Sequence, residues 1–326
     1  MSDTSSSLVI RRVIERGVCG LLPARRSREE GARMGWPLRR YESSLIYFVT
    51  VRCLQGRLLL RPSKETNEVI GGVLSRAIRR TEVELFVFSF ASNHLHLLVR
   101  APRGNLPEFM QYLLGNISRK VGRVVGWQGA FWERRYSAEP VLDEAALLER
   151  VRYILSHGVK EGLVRTCNEW PGLNSLPEML GEPARTFSWF NWSQRWLVRS
   201  STGVAHSFDR RFVETETLSI APLPLERLAK PARWRHFLAR ALRAIERQGR
   251  REHRRVLGRA GVLDQDPQHR PERPKRSRRP WCHAGSKKLR RQFMQAYEAF
   301  RAAFIAASTR WRAGDLSTVF PEGSYR

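Results

Sequence analysis

Two histidines stand two residues apart in the apolar run His94-Leu95-His96-Leu97-Leu98-Val99. Side chains alternate across a strand, so both imidazoles would share one face while Leu95 takes the other. Together they could bind one divalent cation, because histidine is the commonest metal ligand. The pair alone fits surface or core histidines as well. Further along, Tyr153 and His157 are four residues apart, one helical turn, and so lie on one helix face. A third ligand and a phenolic hydroxyl could thus converge on the same ion. On spacing alone the plainer reading is favoured: Tyr153 packs half-buried, and His157 is a cation at a helix C-terminus, where the dipole suits it.

The elements that would position these groups are legible. Leu45 to Val51 is rich in β-branched and aromatic residues and reads as a buried strand. Arg61-Pro62-Ser63 signals a helix start, with Val69, Val73, Leu74 and Ile78 at helical spacing. Val83 to Phe90 and His94 to Arg100 read as two strands joined by a tight antiparallel connection. Leu106 to Val125 reads as a helix, and 126–141 as a connecting section with the aromatic-basic core Phe131-Trp132-Glu133-Arg134-Arg135-Tyr136. Asp143 caps a helix over Glu144 to Ser156. Mixed elements with an antiparallel pair predict an α+β domain, a small antiparallel sheet packed with helices.

The chain has 326 residues, with 58 Lys plus Arg against 31 Asp plus Glu, a formal net charge of +27. Hydrophobic residues make up 42%, which excludes a fully disordered chain. The charge excess points to a polyanion partner, nucleic acid first; a basic surface from an arginine-rich genome is the plain alternative. No run of 18 apolar residues predicts a membrane span. The opening Met1-Ser2-Asp3-Thr4-Ser5 does not read as a secretory signal. Cys19, Cys53, Cys167 and Cys282 form no CxxC pair, so neither a zinc ribbon nor a disulfide framework is expected, and a reducing cytoplasm fits.

Composition divides the chain into a basic arm over 1–40, a central domain over 41–180, an aromatic-rich extension over 181–224 and a basic, mostly helical region over 225–326. The last contains a flexible basic linker near 264–280. Arg119, Lys120 and Arg123 recur on the second helix, and Arg134 and Arg135 follow Trp132. Basic groups interleaved with aromatics suit single strands and hairpins, though each also fits a solvated helix face.

The segments Ser92-Asn93-His94-Leu95-His96-Leu97-Leu98-Val99, Phe131 to Tyr136, and Val151-Arg152-Tyr153-Ile154-Leu155-Ser156-His157-Gly158-Val159-Lys160-Glu161-Gly162-Leu163-Val164 occur in order. Together they resemble the single-tyrosine HUH transposases of the insertion-sequence type, the REP-associated tyrosine transposase branch in particular. The resemblance covers roughly residues 40–180. It implies a ferredoxin-like HUH nuclease fold and DNA transposition on single-stranded, hairpin or REP-like DNA, in a bacterial cytoplasm at the nucleoid. His94 and His96 would hold a divalent metal, Mg²⁺ or Mn²⁺, and Tyr153 would form a 5′-phosphotyrosine. Tyr112 and Tyr136 compete for that role, but only Tyr153 shares a helix turn with a potential ligand. The family usually has Pro-Asn-His where Ser92-Asn93-His94 stands, and Asn-Pro where His157-Gly158 stands. His157 can replace the asparagine as third ligand, with a shift toward Mn²⁺. Absence of any GxxxxGK[ST] loop agrees with a reaction needing no nucleotide cofactor. The competing expectations are a non-catalytic, domesticated hairpin-binding regulator, favoured by His157-Gly158, and an unrelated metal-dependent hydrolase with Tyr153 dispensable. Monomer and homodimer stay equally open.

Overall fold

The computed structural model describes residues 38–202, 210–271 and 280–324. The expected basic arm therefore lies outside the described residues up to position 37, as does the 272–279 part of the basic linker. Two compact units are present: Ser43–Gly285, and the two chain ends, of which residues 38–42 and 286–324 are described. The stretch 225–326 is thus shared between both units, parting at Gly285.

Strand β1 (Ile46–Arg52) opens the larger unit, followed by α1 (Lys64–Thr81), β2 (Glu84–Ala91), β3 (His94–Arg100), α2 (Leu106–Val124) and β4 (Ser137–Val141). The sheet order is β2-β3-β1-β4 with every neighbour antiparallel. A βαββαβ chain with this order is the ferredoxin-like topology, so the fold is α+β as the sequence implies. Ser63 ends the connection from β1 by accepting the Thr66 N–H at 3.0 Å, which starts α1.

No strand signal marks 137–141 in the sequence, yet β4 pairs with β1 there. Pro140 explains both facts. Its carbonyl accepts the His283 N–H at 2.8 Å on the side away from β1, so the amide hydrogen that proline lacks is missing from the outer edge, where the β1 ladder does not need it.

Helices α3 (Glu144–Leu155) and α4 (His157–Lys160) cover one face of the sheet. Ile46, Phe48, Val87 and Leu98 from that face share a core with Val151, Ile154, Leu155 and Val159. Asp143 accepts the Ala146 N–H at 2.8 Å and caps α3, as its sequence position predicts.

After the short α5 (Leu176–Leu180) come β5 (Arg185–Phe190), α6 (Trp192–Thr202) and β6 (Val213–Leu218). Strands β5 and β6 form a separate antiparallel pair that lies on α1. Gly71 makes this approach possible: a Cβ there would sit 2.3 Å from the Phe187 ring. Helices α7 (Pro231–Glu252) and α8 (Gly258–Leu263) complete the unit. No helix among the described residues is long and apolar enough to cross a membrane.

The second unit is built on α9 (Lys287–Arg312), capped by Ser286, which accepts the Leu289 N–H at 3.1 Å. Its aromatic face runs Phe293, Tyr297, Phe300, Phe304. The Tyr297 hydroxyl donates to the Leu38 carbonyl at 2.9 Å, tying the two chain ends together.

Candidate metal and nucleophile site

Register places the histidines. His96 pairs with Thr50 on β1 and Ser89 on β2, and His94 pairs with Arg52 and Ala91. Directly paired residues point to one face, so His94 and His96 lie on the face that α3 and α4 cover. Helix α3 ends at Leu155 and His157 opens α4, yet the one-turn relation survives: the Tyr153 and His157 rings are 6.0 Å apart.

His94, His96 and His157 converge, their ligand-capable nitrogens all within 4.8 Å of one another, and all three are buried. Ring centroids lie 4.4 Å apart for His94–His157, 4.8 Å for His94–His96 and 5.0 Å for His96–His157. Burial, reinforced by the neighbouring His157, holds the His94 and His96 imidazoles well below the usual histidine range. Both are therefore neutral at pH 7, the state in which imidazole ligates a metal.

Two residues not singled out as site residues in the sequence hold the imidazoles, and one of them fixes a tautomer. Asn93 Nδ2 donates to the Gly56 carbonyl at 3.1 Å, which turns its Oδ1 toward His94. His94 Nδ1–H then donates to that oxygen at 2.6 Å, leaving the Nε2 lone pair for a ligand. Thr50 Oγ1 lies 2.9 Å from His96 Nδ1. His96 Nε2 is buried without a hydrogen-bond partner among the described residues. A buried nitrogen left so is costly, and a metal is the partner it fits. Phe48 stacks on the His96 ring at 5.1 Å and 17°, holding it in plane. Asn93 was adjacent to the motif and could have been read; Thr50 needed the strand register.

Tyr153 lies beside this cluster, its ring 5.3 Å from His96. Burial raises its phenol above the ordinary value, and Glu161 adds to the effect, while Arg150 and Arg52 oppose it. Two cations frame the ring: Arg150 at 4.9 Å and Lys160 at 4.9 Å from its centroid. The arrangement is a protonated phenol with positive charge on hand and a cluster of three imidazoles next to it. Tyr112 lies against Arg80 at 5.5 Å, and Tyr136 is buried just before β4.

The basic groups read from the sequence do not join the histidines. On α2, Lys120 Nζ sits 3.6 Å over the Trp189 ring and Arg123 lies 5.7 Å from Trp192. Arg119 is exposed and donates to Asn116 Oδ1 at 3.2 Å. Trp132 Nε1 donates to the Leu114 carbonyl at 3.1 Å, and its backbone bridges to Cys53 just past β1. Arg134 and Arg135 are exposed on the segment leading into β4.

Residues 44–157 match the model of a family described as IS200-like transposases. Among solved structures, the chain resembles a REP-associated tyrosine transposase bound to a REP hairpin. That match has 18% identity and a TM-score of 0.38, over 45% of this chain and 86% of the other. It also resembles a protein of Deinococcus radiodurans R1 described as a candidate transposase, with 19% identity and a TM-score of 0.27, over 39% of this chain and 95% of the other. No curated protein matches the chain.

Proposed function

We propose, from the match of residues 44–157 to the IS200-like transposases, that this protein is a metal-dependent strand transferase that cuts and rejoins single-stranded or hairpin DNA through Tyr153. One observation carries the reading: the Tyr153 ring lies 5.3 Å from His96 within a cluster of three buried histidines.

His94, His96 and His157 are the residues that would hold the divalent ion, with Asn93 and Thr50 orienting the first two. Bound there, the ion supplies Lewis acidity to the scissile phosphate and offsets charge on its oxygens. Three nitrogen donors suit Mn²⁺ better than Mg²⁺, which prefers oxygen. Arg150 and Lys160 flank the phenol and favour its ionised form as the proton leaves. The Tyr153 oxygen attacks phosphorus, the bond to the 3′ oxygen breaks, and that oxygen takes a proton to leave as a 3′-hydroxyl. The 5′-phosphotyrosine keeps the phosphodiester energy, so a 3′-hydroxyl can attack it and free Tyr153 in rejoining. Exposed Arg119, Arg123, Arg134 and Arg135, with Trp132 and Lys120, would contact DNA phosphates and bases. Such a protein works where the DNA is, at the nucleoid in a bacterial cytoplasm.

The test is incubation with labelled hairpin DNA from the flanks of the protein's own coding region, with Mn²⁺ or EDTA, on a denaturing gel. A protein-DNA band that requires Mn²⁺ supports the reading. Tight hairpin binding with no band under any metal would overturn it in favour of a non-catalytic hairpin-binding regulator.

A further inference from the structure

Helix α7 lies beyond the segment that matches the transposase family, and it is seated firmly beside the nucleophile's helix. Gly249 lets it touch α4, since a Cβ there would lie 2.3 Å from Val159 Cγ1. Leu238 and Ala241 are buried, Trp234 Nε1 donates to the Met179 carbonyl at 3.0 Å, and Arg165 Nη1 donates to the His253 carbonyl at 3.0 Å. What α7 and α3 leave between them is a groove of about 1090 Å³ into which Tyr153 opens.

The charged groups on the walls of this groove are nearly all cationic. Arg150, Arg152 and Lys160 line one side, and Arg233 and Arg240 the other. Against these stands one lining carboxylate, Glu149, already paired with Arg150 at 2.6 Å. Along α7 the lining includes Ala232, Ala241 and Ala244, small enough to let a chain approach the helix closely. Phe237 adds a partly exposed aromatic ring, stacked with Trp234 at 5.6 Å, and the planar Arg152 guanidinium 5.2 Å from its centroid extends this stacking surface. Phosphates match the arginines, and an unpaired base matches the aromatic surface; a duplex hides its base faces from such a platform.

We infer that the groove between α3 and α7 holds the single DNA strand that brings the scissile phosphate to Tyr153. The inference rests on Tyr153 being the nucleophile. It gives the basic α7 a specific role, in which Arg233 and Arg240 position the strand while Tyr153 and the histidines act on it.

The experiment is fluorescence anisotropy of the full chain with labelled oligothymidylate across a salt series. Arg240→Glu changes an exposed groove residue. Arg103→Glu makes the same charge change at an exposed site between β3 and α2, beside Glu82. Melting curves confirm that both variants fold. Arg240→Glu weakens binding about tenfold at physiological salt and flattens the log–log salt slope by about 0.7, the value for one lost single-strand phosphate contact. Arg103→Glu stays within about twofold of the unaltered protein, as expected of a residue making no phosphate contact. Adding Arg233→Glu to Arg240→Glu flattens the slope further. If Arg240→Glu loses no more affinity or slope than Arg103→Glu, the groove assignment falls. Its failure is separable from failure of the chemistry. Lost oligothymidylate binding in Arg240→Glu without any covalent adduct from the unaltered protein keeps the groove and removes the nucleophile; an intact adduct with unchanged binding does the reverse.

Discussion

The ring centroids of His94 and His157 lie 4.4 Å apart in a buried site. Two imidazolium charges at that distance would repel by about 4 kcal/mol at the effective dielectric of protein interiors, before any cost of burying them. Neutral rings avoid this, and burial holds His94 and His96 in that state. Neutral rings also offer lone pairs on nitrogens within 4.8 Å of one another, which a cation would satisfy. The cluster is thus unfavourable as charge and suited to a metal.

Metal binding should therefore stabilise the fold. With Mn²⁺ at about 100 times its dissociation constant the gain is about 2.7 kcal/mol. Thermal unfolding with Mn²⁺ and with EDTA reads it as an upward shift of about 5 to 10 °C. His96→Ala should lose most of the shift. An undiminished shift in that variant would remove His96 from the metal site.

In the proposed metal site Thr50 is a positioning residue that would act through His96, because its hydroxyl meets Nδ1 at 2.9 Å. Thr50→Val keeps the shape and removes the hydroxyl. Mn²⁺ affinity, followed by the resonance signal of the free ion, should fall by about 10- to 100-fold. Thr50→Ser should restore most of it. Equal affinity in all three proteins would mean that Thr50 does not orient the ligand.

The sequence carried some of this site and hid the rest for identifiable reasons. His94 and His96 were legible because a strand has a period of two, and Tyr153 and His157 because a helix places residues four apart on one face. That the two faces meet depends on packing α3 and α4 across the sheet, which no local period encodes. Thr50 needed the β1–β3 register, and β4 carried a proline that reads against a strand. Arg150 and Lys160 carry no signal of their own in the sequence, and only the folded chain shows Tyr153 between them. The α7 stretch was visibly basic and helical, but its seat against α4 depends on a tertiary contact at Gly249.

Lys120 gives a pH signature. Burial against Trp189, with Arg76, Arg123 and Arg119 nearby, pushes its ammonium down to about 8 from the ordinary 10.5. Between those values the unfolded chain binds more protons than the folded one, so stability from this group rises with pH across the window and is lacking below it. Lys120→Met keeps contact with Trp189 and carries no charge. It should be more stable than the unaltered protein at pH 7, with the advantage shrinking from pH 8 to 10.5 in denaturant titrations. A constant difference across that range would contradict the assignment.

Gly249 tests how α7 is held. In a free helix Gly→Ala stabilises by about 1 kcal/mol. Here the added methyl meets the stiff Val159 side chain, an overpacking that costs about 1–3 kcal/mol. Gly249→Ala should therefore leave the protein no more stable, or less stable by up to about 2 kcal/mol, in denaturant titrations. A clear gain in stability would show that α7 does not rest on α4.

The central claim is that Tyr153 forms the bond to DNA. Peptide mapping by mass spectrometry after reaction with hairpin DNA and Mn²⁺ addresses it directly. The expected result is one peptide, containing Tyr153, bearing a nucleotide through its 5′ phosphate, with a free 3′-hydroxyl on the other product and no adduct in Tyr153→Phe. A nucleotide on Tyr112 or Tyr136, or an adduct that persists in Tyr153→Phe, would contradict it.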